Sequence, residues 1–128
     1  MARLACARRT AADLKALEAN VSEAEAATKA GDPGRRAEIH YEFHSLLARA
    51  AKNPVLIILT DALMEMTRHF VEAVGYQPNP YVMPSRKRLL AALRAKDGEA
   101  AAKEMASMLK RLQRFHLALY EETREKRK

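Results

Sequence analysis

Apolar residues recur along this chain at three- and four-residue spacing, and no stretch alternates apolar and polar positions as a half-buried strand does. Leu14, Leu17 and Val21 form the first clear stripe. Thr10 stands before it as an N-cap, with Asp13 three residues on in a capping-box arrangement, and Gly31 offers a left-handed stop. Asp32-Pro33 then supplies a cap and a first-turn proline for a helix carrying Ile39, Phe43, Leu46 and Leu47 on one side. Asn53-Pro54 repeats the device and opens a long helix through Val55, Leu59, Ala62, Met66, Phe70 and Val74, ended by Gly75. Residues 76–84 hold three prolines and form the one clear non-helical connection, long enough to cover the bundle or a pocket mouth. A helix resumes near Ser85 with Leu89, Leu90 and Leu93. Asp97-Gly98-Glu99 caps a last helix through Ala101, Met105, Met108, Leu112, Phe115 and Leu119. The pattern predicts an all-α fold, an antiparallel bundle of about six helices forming a single domain over 1–128.

Composition supports helix, with Gly scarce and Trp absent. The 23 basic against 16 acidic residues leave a net charge of +7, which raises the question of an anionic partner. The charges are dispersed, however, and collect only at Arg124, Lys126, Arg127 and Lys128, where a solvated terminus explains them better than a binding arm. They are not interleaved with aromatics, which argues against a stacking surface for single strands. No apolar run approaches the roughly 20 residues of a membrane span, and the apolar part of the N-terminus is too short for a signal peptide. Cys6 is the only cysteine, so no internal disulfide forms, in keeping with a cytoplasmic location. There is no nucleophile–base pair and no glycine-rich phosphate loop, so no enzyme is expected. Met64, Met66, Met105 and Met108 read as adaptable core.

Candidate chemistry centres on residues 40–54. His40 and His44 lie four apart on one helix face beside Phe43 and Leu47. The Phe43-His44 pair, the Ala-rich run after it and Asn53-Pro54 resemble a motif of the C-terminal effector-binding (FCD) domain of FadR-type GntR transcription regulators. The likeness spans nearly the whole chain. Residues 2–17 look like the family's opening run, Gly31-Asp32 like its next break, and Asp97 with Ala100, Ala101 and Met105 like its later landmarks. The resemblance implies a ligand-sensing and dimerisation domain that binds a small organic acid and controls an attached DNA reader.

The resemblance also implies where a ligand sits. Many members hold a divalent metal through one Asp and three His. The Asp position is taken here by His40, the motif His is kept as His44, the third position is Arg86 and the fourth Met108. Arg68 falls at a position often basic in the family. Two routes follow. His40 and His44, with Met108 as a soft donor, would hold zinc or nickel, a reading that the permanent cation of Arg86 opposes. Alternatively Arg86 takes over the metal's charge and binds a carboxylate through its guanidinium fork, with the imidazoles as further donors and no cofactor. The second route is preferred; for Arg86 itself the alternative is a snorkelling surface side chain or an ion pair with a nearby Glu. His69 has no motif around it, and His116 is expected to be structural or exposed.

The family's winged helix-turn-helix is not seen before Met1, nor is the front half of the domain's first helix. That predicts an apolar groove along the bundle, filled by self-association into a homodimer, with DNA reached only through a missing N-terminal domain. Three rivals remain: a basic helical nucleic-acid-binding protein, a small metal-dependent helical enzyme, and a dimerisation module whose pocket has decayed and takes no ligand.

Overall fold

A computed structural model describes residues 1–76 and 79–128. Six helices follow one another: α1 Ala2–Arg8, α2 Ala11–Ala30, α3 Pro33–Ala50, α4 Pro54–Val74, α5 Val82–Ala95 and α6 Gly98–Lys126, with no strand among the described residues. The boundaries follow local chemistry. The Thr10 hydroxyl accepts from the Asp13 N–H at 3.1 Å while the Asp13 carboxylate accepts from the Thr10 N–H at 2.8 Å, closing the capping box of α2. Asp32, Asn53 and Asp97 each accept a first-turn N–H and start α3, α4 and α6. Gly31 adopts φ 67°, the left-handed conformation that stops α2. One boundary departs from the sequence reading. Helix α5 begins at Val82 rather than near Ser85, because Pro84 falls in its first turn, where a missing N–H costs nothing. Residues 77 and 78 of the proline-containing connection expected from the sequence lie outside the described residues.

Helices α2 and α3 pack as an extended pair, α5 lies against α6, and the short α1 is wedged against α3, α5 and α6. The wedge is possible because α1 buries only small side chains, Ala2, Ala5 and Cys6. Around them pack Leu17 and Val21 of α2, Phe43 and Leu47 of α3, Leu89 and Leu93 of α5, and Ala101, Met105 and Met108 of α6. Helix α4 stands apart. It touches chiefly α3, meets α6 only slightly, and buries only Thr60 despite its apolar sequence. A cavity opens where α4 and α6 fail to close on each other.

Candidate functional site

The cavity encloses about 390 Å³, within the range of small-molecule sites. Helix α3 presents Ala37, His40, Tyr41 and His44 to it, one face of consecutive turns, and α5 presents Val82 and Arg86 one turn apart. Tyr76 and Asn79, from the connection before α5, also line it, as does Met1. Helices α4 and α6 supply the remaining wall.

Arg86 is the unusual residue. Among the described residues its side chain is the largest fully buried one, at 2% exposure, and none of their carboxylates pairs with it. One guanidinium nitrogen donates to the His40 carbonyl at 3.5 Å, the outer limit for such a bond. Nε and Nη1 have no partner. The guanidinium carbon sits 4.1 Å from the Phe43 ring centroid, a cation–π contact that orients the fork. Burial pushes the group down to about 9, so it stays charged at neutral pH. The two imidazoles feel the same setting: burial first, then the Arg86 charge, pushes both His40 and His44 down to about 3. They are therefore neutral at pH 7, and His40 Nδ1 is buried without a partner. Neither alternative for Arg86 is met, since it is neither a surface side chain nor half of an ion pair.

The other candidate positions are not brought to this point. Met108 is 3% exposed, packed in the main core, and does not line the cavity. Arg68 lies on the opposite side of Tyr41, stacked over its ring at 5.0 Å and bonded to Glu38 at 2.9 Å, so its charge is already matched. His69 is exposed between Glu65 and Glu72. His116 differs from expectation in lining the cavity, where it packs against Phe70 at 5.4 Å. Arg36 was not singled out by the sequence. It stands one turn before His40, its Nε is buried without a partner, and its charge lowers both His40 and Arg86. The i, i+4 relation to His40 was the available signal.

Residues 1–111 match the family model described as "FCD domain". The chain belongs to the FCD-domain family. It is similar to the galactonate operon transcriptional repressor of Escherichia coli K12, at 30% identity over 112 residues covering 85% of this chain and 48% of the repressor. Among solved structures it resembles Streptococcus agalactiae GntR, with a TM-score of 0.74 and 26% identity over 88% of this chain and 50% of that one. The likeness to E. coli McbR/YncC, with a TM-score of 0.79, covers 93% of this chain and 58% of that one; at 21% identity it speaks for the fold alone. This FCD domain thus spans about half the length of the repressor it matches. The family points to a regulatory domain of GntR-type transcription regulators rather than to an enzyme.

The residues of this FCD domain do not fit the metal that the resemblance implies. Two imidazoles are the only nitrogen donors at the family positions, a buried guanidinium faces them, and Met108 is turned into the core. Among the described residues no three His, Cys, Asp or Glu side chains are grouped to hold an ion.

Proposed function

We infer that this FCD domain is the effector-binding and dimerisation part of a cytoplasmic GntR-type transcription regulator, and that it binds a small organic acid without a metal. One observation carries the reading: a buried guanidinium with two unpartnered nitrogens, beside two neutral imidazoles, on a cavity with no acidic side chain among the described lining residues. Leaving a buried cation unpaired costs several kcal/mol, and a cation–π contact of about 1–2 kcal/mol does not offset it. A carboxylate between Arg86, His40 and His44 does, through a two-pronged charge-assisted contact.

The place of the cavity supports a route for regulation. The cavity lies between α4 and the rest of the bundle, so a ligand that contacts both favours one placement of α4. A dimer built on α4 would pass that preference to an attached DNA reader as a population shift. The rival of a basic nucleic-acid-binding domain draws no support from the site, where the cation is buried at the inner end of a largely apolar cavity rather than displayed on a surface.

Thermal shift against a panel of short monocarboxylates and aldonates tests the reading. Stabilisation by at least one acid should persist in EDTA and vanish in Arg86→Met. Stabilisation that EDTA removes and zinc or nickel restores would overturn it.

A further inference from the structure

We propose that the acid taken by this cavity has an apolar body, an aryl- or alkyl-substituted monocarboxylic acid rather than a polyhydroxylated sugar acid. The proposal rests on the reading of Arg86 as the carboxylate anchor and adds what surrounds the rest of the ligand. Among the cavity-lining residues described, the buried polar atoms without partners are on Arg86 and His40, where α3 and α5 meet. Away from that end, α4 and α6 line the cavity with Val71, Val74, Leu112, Phe115 and Leu119.

Three of the polar groups that interrupt this wall are already committed, while Gln113 and His116 of α6 and the side chains of Tyr41 and Tyr76 also line the cavity. The Thr67 hydroxyl donates to the Leu63 carbonyl of its own helix at 2.8 Å, and the Thr60 hydroxyl donates to the Met1 sulfur at 3.6 Å. The Asn79 side-chain oxygen accepts from the Tyr81 N–H at 3.0 Å. A sugar acid carries a hydroxyl on nearly every carbon, and each one set against the apolar side chains of α4 and α6 gives up water without a partner of its own. An aryl or alkyl body instead removes both its own surface and that of the wall from water. The cavity's 390 Å³ leaves room for a ring or a short acyl chain behind the carboxylate. The chemistry thereby separates this chain from its relative whose name refers to galactonate.

Isothermal titration of the full chain at pH 7 with phenylacetate, hexanoate and gluconate tests the assignment. Phenylacetate and hexanoate should bind at least tenfold more tightly than gluconate. Leu119→Asn should weaken phenylacetate at least fivefold, and if that variant does not fold, Val71→Thr should weaken it in the same direction. Tighter binding of gluconate that is lost in Arg86→Met overturns the apolar assignment and leaves the carboxylate anchor standing. Binding of no acid, or equal binding by Arg86→Met, overturns both.

Discussion

At the scale of single residues, Arg86 decides the account. A side chain held only by packing would be missed on removal, whereas an unpaired buried cation destabilises the fold that carries it. Arg86→Met keeps the volume and relieves the desolvation, so its melting temperature should equal or exceed that of the parent without ligand, while stabilisation by carboxylates is lost. A melting temperature several degrees lower would make Arg86 a structural residue. The imidazoles give a pH signature. Their folded values near 3 lie below the unfolded value near 6.5, so the fold favours their neutral form. Stability is then full above about pH 6.5 and is lost as pH falls toward 3, by up to about 2 kcal/mol for each imidazole at pH 5. Urea denaturation at pH 7 and pH 5 should show that loss. A doubly substituted His40→Gln/His44→Gln chain should lose much less, and a bound carboxylate should offset the loss by pairing with the protonated rings.

Residue-level chemistry was only partly legible in the sequence. Motif and spacing placed His40, His44 and Arg86 on one site, and the structure gathers them. They could not show whether Arg86 was buried or snorkelling, because that depends on α5 closing over the Phe43 ring. Met108 and Arg68 had the right helical phase for a site. Packing turned one into the core, and the other met Glu38 and Tyr41 first. Helical phase fixes a direction, and it does not fix what neighbouring helices put in that direction.

At the scale of elements, most boundaries were readable because each is made by a cap whose bonding groups are close in sequence. Thr10 with Asp13, Asp32-Pro33, Asn53-Pro54 and Asp97 all act locally. Two stops were not readable, since Lys52 and Lys96 take left-handed positions with φ of 55° and 54° where glycine would be expected. Lys52 is recruited by an ion pair to Asp13, the residue that also caps α2. Lys96 is exposed and has no such hold. Lys96→Gly should therefore stabilise the chain by about 0.5–1 kcal/mol, as relief of the left-handed cost outweighs glycine's unfolded-state entropy. Lys52→Gly should gain less, because it gives up the Asp13 contact. Chemical denaturation of the two variants side by side measures the difference, and an equal gain in both would remove the role given to Asp13.

At the scale of the molecule, α4 is the unfinished part. Val55, Ile58, Leu59 and Met66 run along its outer side, with Ile58 and Met66 69% and 68% exposed. An apolar stripe of that kind marks an interaction surface more often than bare solvent. We propose that a second copy covers it. Sedimentation should find a dimer at micromolar concentration, with Ile58→Glu/Met66→Glu monomeric and still folded. A monomeric parent would remove the dimer from the mechanism. The stripe's apolar pattern was visible in the sequence, but its exposure was not, since periodicity marks a face without saying what covers it.

In the proposed site, Arg86 holds the ligand's carboxylate in place of a metal. A crystal structure of the EDTA-treated chain with phenylacetate tests it most directly. Both carboxylate oxygens are expected about 2.7–3.0 Å from Arg86 nitrogens, with His40 or His44 completing the shell. An ion coordinated by His40 and His44, or a ligand bound elsewhere with Arg86 still unpartnered, would contradict it.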